Sequence, residues 1–151
     1  MMHRYLLPLS LLLAPPALAQ SETCSLYNPS EPCVRVLACV GGDGLWFDGR
    51  AYGAREGRIE GQMSDGTLCG GSWTVRNFMG IGRSDLNCDD GREARVYYTY
   101  RDRRTGTATG SGRSNLGESI KVWAGEEVLA FLQGEGETPS LPCRGGAVPL
   151  N

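Results

Sequence analysis

The sequence predicts an all-β protein: an antiparallel meander of about eight short strands that forms a small, disulfide-stapled barrel or sandwich. Three observations predict this fold. Apolar and polar residues alternate with a period of two along most of the chain, which is the pattern of half-buried strands. Glycine-containing turns such as Asp65-Gly66 separate the alternating segments. Six cysteines are spread over the 151 residues, as in small exported domains that need covalent support.

The first 19 residues have the pattern of a secretory signal peptide. Arg4 gives a positive start, a Leu-rich run follows, and Ala17-Leu18-Ala19 is a small-x-small cleavage site. The apolar run contains prolines and is shorter than the roughly 20 residues that a membrane-spanning helix requires. We therefore expect cleavage after Ala19, export to the periplasm or the extracellular medium, and no membrane insertion afterwards.

The remaining elements are predicted in order along the chain. Residues 20–33 contain Pro and Asn turn signals and form an N-terminal loop segment. Residues 34–132 form the all-β domain, in which we expect no helix. A last apolar run at 128–132 precedes a Pro/Gly-rich tail at 133–151, which Cys143 ties to the domain. The predicted strands are 34–40, 45–54, 57–64, 67–76, 79–88, 93–101, 106–114 and 118–124.

The even number of cysteines in an exported chain predicts a disulfide framework. A zinc site is the alternative, but the sequence has no Cys-x-x-Cys pair, and its single histidine, His3, lies in the signal peptide. No metal or cofactor is therefore expected. A disulfide framework also implies an oxidising environment.

The hairpin register predicts one specific bridge, Cys69–Cys88. Cys69 lies three residues after one turn glycine and Cys88 three residues before the next, so the two face each other if their strands pair around a turn at 77–80. The other four cysteines allow three pairings. Of these we expect the pairing in which Cys39–Cys143 ties the first strand to the tail and Cys24–Cys33 closes the N-terminal loop.

Charge and residue inventory argue against several function classes. The formal net charge is −2 and the arginines are scattered, so no basic surface for nucleic acid is predicted. Without a histidine in the mature chain, a Ser-His-Asp triad or a Cys-His dyad is impossible. The lone lysine, Lys121, lies in an alternating strand, and most carboxylates fall at turns, where they are turn formers. No catalytic residue is predicted, and the expectation is a protein that is not an enzyme.

Aromatic side chains are the feature with binding potential. Trp46 lies early in the domain, whereas Tyr97 and Trp123 fall on strand faces opposite the predicted core. If exposed and adjacent, such side chains form a stacking surface for a sugar ring or for a partner's apolar patch. The alternative is that they serve as core on the second face of the sheet.

Residues 47–82 resemble degenerate membrane-occupation-and-recognition-nexus (MORN) repeats. The resemblance lies in Asp48-Gly49, Asp65-Gly66, the following Trp73, and the later Gly80-x-Gly82. It implies hairpin units stacked into a solenoid that acts as a scaffold or binds partners, without enzymatic activity.

Residues 88–125 are similar to the periplasmic C-type lysozyme inhibitors. Cys88-Asp89-Asp90-Gly91 resembles their opening strand, and Ser111-Gly112 ahead of Trp123 resembles their inhibitory loop. This resemblance implies a small exported β-barrel that inserts Ser111 into a lysozyme active site.

The function expected from the sequence is a non-catalytic exported or periplasmic module of the cell envelope, with a binding or structural role. Its partner would be an envelope protein or a glycan, met on a surface that includes Trp46, Tyr97, Ser111 and Trp123. An inhibitor of a cell-wall hydrolase and a carboxylate-type hydrolase are the alternatives.

Overall fold

A computed structural model describes residues 24–76 and 81–151 of the chain. The predicted signal peptide and the predicted turn at 77–80 lie outside these ranges. In the described part of the chain, no helix has the length and apolar character needed to cross a membrane.

Eight antiparallel strands form a closed barrel in which each strand pairs with its neighbours in sequence, and β1 also pairs with β8. The fold class predicted from the alternation is therefore confirmed, in its barrel form. The strands are β1 (Cys33–Val40), β2 (Leu45–Tyr52), β3 (Glu56–Met63), β4 (Leu68–Arg76), β5 (Ile81–Cys88), β6 (Glu93–Arg101), β7 (Ala108–Ser114) and β8 (Ser119–Gly125).

The two ends of the barrel differ in their connections. At one end, which we call the closed end, four tight turns at 41–44, 64–67, 89–92 and 115–118 join the strands. At the other, the open end, lie the connections 53–55 and 102–107, together with the N-terminal segment 24–32.

Two of the tight turns use the same device. Asp65 accepts a hydrogen bond from the backbone N–H of Thr67 at 2.9 Å, and Asp90 accepts one from the backbone N–H of Arg92 at 3.0 Å. The glycine between each pair has a positive φ, +94° in one turn and +85° in the other. Such a backbone conformation favours glycine, which explains why Asp-Gly marks these hairpins in the sequence.

The barrel interior is one apolar core that inward-facing residues of the strands build. Glycines let bulky rings lie directly against the neighbouring backbone. A Cβ on Gly61 would lie 2.6 Å from the Cζ atom of Phe47, for example, so no larger residue fits there. The buried members of this core are Val36, Ala38, Val40, Phe47, Ala51, Ile59, Met63, Cys69, Val96, Ile120 and Val122.

A second apolar cluster, the outer cluster, lies on the outside of β1 and β8. The helix α1 (Val128–Leu132) and a hairpin of β9 (Ser140–Cys143) and β10 (Gly146–Pro149) cover this wall. The buried members of the outer cluster are Leu37, Cys39, Trp123, Val128, Leu141, Cys143 and Leu150. The expectation of no helix before residue 133 is thus wrong for 128–132, where the apolar run packs onto the barrel as a helical turn instead of extending the sheet.

All three disulfide pairings expected from the sequence are present: Cys24–Cys33, Cys39–Cys143 and Cys69–Cys88. The register prediction is also confirmed, because Cys69 lies directly opposite Cys88 in the β4–β5 pair. Cys39–Cys143 joins β1 to β9 and so fastens the covering segment to the barrel. Three disulfides indicate an oxidising environment outside the cytoplasm.

Residues 47–82 contribute to strands β2 to β5 of the closed barrel. This arrangement differs from the open hairpin solenoid that the resemblance to MORN repeats implies, because β1 and β8 complete a ring around the same interior.

Candidate ligand-binding site

The barrel is packed at its closed end and hollow at its open end. A cavity of about 730 Å³ opens at the open end, within the range of small-molecule pockets in proteins. Deeper in the barrel, the interior leaves only about 40 Å³ of free space. Tyr98 borders both spaces and therefore lies at the floor of the cavity.

Small side chains leave room for the cavity. The inward-facing positions near the open end of β2, β7 and β8 are Ala51, Ala108 and Ala124, and β5 places Gly82 there. Larger side chains of β1 and β4 complete the wall, among them Trp73 and Val75.

The rim of the cavity is apolar and exposed. Among the described residues, seven large hydrophobic side chains are exposed, and four of these line this one cavity: Leu26, Tyr27, Val75 and Tyr100. Leu26 and Tyr27 belong to the N-terminal loop that Cys24–Cys33 closes. A concentration of exposed apolar side chains around one opening is typical of a binding site.

Trp73 is held in a fixed orientation in the wall. Its indole Nε1 donates a hydrogen bond of 2.8 Å to the backbone carbonyl of Tyr52. Gly57, its partner on β3, has no side chain, and a Cβ there would lie 3.3 Å from Nε1. Because the N–H is already bonded, Trp73 offers the cavity an apolar ring.

The floor carries one pair of hydroxyl groups. Ser84 is 1% exposed, and its Oγ donates a hydrogen bond of 3.3 Å to the Tyr98 hydroxyl oxygen. Burial raises the pKa of Tyr98 to about 12, against a smaller opposing effect of the bond from Ser84. The phenol therefore stays protonated and neutral at physiological pH.

Hydrogen bonds within the loop order one part of the rim. Asp102 accepts bonds of 2.8 Å from both the backbone N–H and the hydroxyl of Thr105. The bond from the Thr105 backbone and then the one from its hydroxyl lower the pKa of Asp102. The 102–107 connection thus keeps a defined shape beside the opening.

The charged side chains that line this cavity, within the described part of the chain, are all at its rim. They are Arg101, Glu126 and Glu127, and each is exposed. At the closed end, Arg92 borders the packed interior and is paired with Glu118 at 2.8 Å and with Asp90 at 2.5 Å.

The binding surface predicted from the sequence is only partly assembled. Tyr97 and Ser111 are exposed and lie opposite each other on β6 and β7. Trp123 is 3% exposed, so it is not part of an exposed binding surface and instead follows the alternative, core on the second face of the sheet: it faces outward from the barrel, and the C-terminal segment covers it. Trp46 is half-buried against the same outer cluster.

Ser111 and Gly112 also differ from their expected setting. Both lie within β7, with ladder partners on β6 and on β8, and not in a loop.

Trp46 borders a shallow outer depression of about 860 Å³ on β2 and β3. Its charged side chains already pair with one another or with neighbours. Asp48 contacts Arg35 at 2.7 Å and Arg50 at 2.8 Å, and Glu60 contacts Arg58 at 3.7 Å. The depression is open and its charges are satisfied, so the open-end cavity is the better candidate site.

Sequence reasoning missed this cavity. Alternation indicates that Trp73 and Tyr98 face inward, but it does not show whether the interior around them is filled. The signal that could have found the site is the run of Ala and Gly at inward positions near the same end of four strands. The described residues contain no group of three His, Cys, Asp or Glu side chains placed to hold a metal ion.

No protein-family model and no curated protein matches this sequence. Similar folds occur among solved structures of designed proteins. A de novo designed fluorescence-activating β-barrel is 20% identical, with a TM-score of 0.48 over 62% of this chain and 90% of that one. A redesigned β-barrel bound to DFHBI, mFAP0, is 17% identical, with a TM-score of 0.46 over 62% and 94% of the two chains. At these values the likeness carries no functional information.

Proposed function

We propose that the protein is a non-catalytic, exported binding module of the cell envelope that takes a small ligand into the open end of its barrel. The observation that carries the proposal is the cavity itself: about 730 Å³, walled by apolar side chains and ringed by four exposed hydrophobic residues. Eight-stranded barrels are just wide enough to hold one small ligand. Export is supported by the three disulfides and by the signal-peptide pattern at residues 1–19.

The non-catalytic part of the proposal is supported by the chemistry at the cavity. Among the described residues, the polar side chains at its floor are Ser84 and Tyr98, and Tyr98 stays protonated near neutral pH. A serine that donates to a neutral phenol lacks the adjacent base that activates a nucleophile. The carboxylates of Glu126 and Glu127 are exposed at the rim, away from the two hydroxyls on the floor.

Titration with N-phenyl-1-naphthylamine tests the function. This neutral fluorophore brightens when it leaves water, and we expect saturable binding of one molecule per mature, oxidised chain. Val75→Glu places a charge at the mouth and should weaken binding tenfold or more, because the ligand would have to strip water from the carboxylate. Val75 is already 41% exposed, so the substitution leaves the core intact.

Ser72→Glu is the matched control. Ser72 lies on the same strand, is exposed, and faces outward between Arg58 and Asp85. Equal loss of binding in both variants would point to a nonspecific charge effect and contradict the assignment of the cavity. Absence of saturable binding to the unmodified protein would contradict the proposed function itself.

A further inference from the structure

The interior of the cavity selects against charge. Its charged lining residues stand at the exposed rim, and the wall behind them consists of apolar side chains, glycine backbone and hydroxyls. An ion that entered would lose its water and, among the described residues behind the rim, would find no opposite charge, so its entry is strongly unfavourable. A ligand that fills this space is therefore neutral in the part that enters.

The floor offers hydrogen bonding at one place. Trp73 and Ser84 lie directly opposite each other on β4 and β5, and Ser84 bonds to Tyr98 on β6. The indole N–H of Trp73 is taken up by a backbone carbonyl, so the polar atoms at this depth are the two hydroxyls. Hydroxyl groups both donate and accept, and they suit an alcohol or a carbonyl group.

The shape of the wall favours flat rings. Trp73 from β4 and Tyr98 from β6 bring two aromatic side chains into the cavity, and Tyr100 of β6 adds a third at its exposed rim. Aromatic rings favour offset-stacked or edge-to-face contacts with other rings, and such contacts add to the gain from burial. The rim residue Tyr27, 87% exposed, adds a fourth ring at the entrance.

We infer that the ligand of this cavity is an uncharged, largely apolar molecule with a flat ring system and one hydroxyl or carbonyl group. The polar group enters first and hydrogen-bonds to Tyr98 on the floor, while the rings lie along Trp73. This inference rests on the proposed function, because it assigns a ligand class to the same cavity.

Three pyrene derivatives that share one ring system test the inference: 1-pyrenemethanol, 1-methylpyrene and 1-pyrenecarboxylate. Each is titrated into the mature, oxidised chain and followed by its own fluorescence. We expect 1-pyrenemethanol to bind at least tenfold more tightly than the carboxylate. We also expect it to bind about three- to tenfold more tightly than 1-methylpyrene, the range that one net hydrogen bond supplies.

Tyr98→Phe removes the hydroxyl and keeps the ring. In this variant the advantage of 1-pyrenemethanol over 1-methylpyrene should disappear, with the affinity for 1-methylpyrene unchanged. Tyr97→Phe makes the same chemical change on the outward face of the same strand and should change neither affinity.

The outcomes separate this inference from the proposed function. Equal affinity for the carboxylate and the alcohol would overturn the neutral ligand class. An alcohol advantage that persists in Tyr98→Phe would overturn the placement of the polar group. Binding of N-phenyl-1-naphthylamine without binding of any pyrene would overturn the flat-ring class and leave the proposed function standing. Failure of all probes would remove both.

Discussion

Removing the disulfides one pair at a time should destabilise the protein in the order of the loops they close. The bridges span 104 residues for Cys39–Cys143, 19 for Cys69–Cys88 and 9 for Cys24–Cys33. If a bridge acts by restricting the unfolded chain, these separations correspond to ~4.7, ~3.2 and ~2.6 kcal/mol at 25 °C. Each bridge has at least one buried cysteine, among Cys33, Cys39, Cys69 and Cys143, whereas Cys24 and Cys88 are half-buried, so every double truncation to Ala also removes some packing.

The assay is equilibrium unfolding of the mature chain in urea, followed by tryptophan fluorescence, for the parent and three double Cys→Ala variants. We expect the Cys39→Ala/Cys143→Ala variant to lose about 2 kcal/mol more than the Cys24→Ala/Cys33→Ala variant. Its m-value should also rise the most, because release of the longest loop expands the unfolded chain.

A loss for the Cys24/Cys33 pair equal to or greater than that for the Cys39/Cys143 pair would refute the loop-closure reasoning. Such a result would mean that native contacts at the N-terminal loop outweigh chain entropy. An unchanged m-value across all three variants would count against the unfolded-state account as well.

Three further predictions concern the barrel wall. Gly112→Ala should lower the free energy of unfolding in urea by about 3 kcal/mol, because its Cβ would lie 1.8 Å from the carbonyl oxygen of Arg95. Gly42→Ala is the control: Gly42 has free space around it, so this substitution should cost less than about 1 kcal/mol. Trp123→Ala should lower the free energy of unfolding by about 3–5 kcal/mol, measured by thermal or urea unfolding, because the side chain is buried. Truncation of an exposed side chain would not cost as much.

Partial burial alone would raise the pKa of Asp48, but hydrogen bonds from its two arginine partners lower it below the ordinary value. Because the pKa is lower in the folded state, the ionised carboxylate stabilises the protein above about pH 4. This stabilisation is lost as the pH falls through the folded-state pKa. Asp48→Asn should therefore cost about 1 kcal/mol at pH 7 and progressively less as the pH falls below 4; an equal cost at pH 7 and pH 2 would contradict the ion-pair account.

The barrel was predictable because its signals are local. Each tight turn carries its own glycine, and alternation then fixes which side chains face inward. The Cys69–Cys88 register follows from counting three residues from each turn glycine, and the ladder pairs these two directly. Neither step needs knowledge of distant parts of the chain.

The C-terminal cover was not predictable in the same way. An apolar run of five residues, Val128–Leu132, is too short for its periodicity to distinguish a strand from a helical turn. Alternation correctly predicted that Trp123 faces away from the interior, but whether an outward-facing side chain is exposed to water depends on tertiary packing. Here Leu141 and Leu150 of the tail cover it, and both are almost fully buried.

The position of the cavity follows from a gradient of side-chain size along the barrel axis. Near the closed end the inward positions hold large side chains, among them Phe47 and Met63, which fill the interior. Near the open end the same faces hold Ala51, Ala108 and Ala124, which do not. The number of strands sets the width of a closed barrel, so the size of the inward-facing side chains determines which part of the interior is filled. Large residues at every inward position would have buried more apolar surface and stabilised the barrel further. The small residues at the open end leave space instead, and a ligand can fill that space.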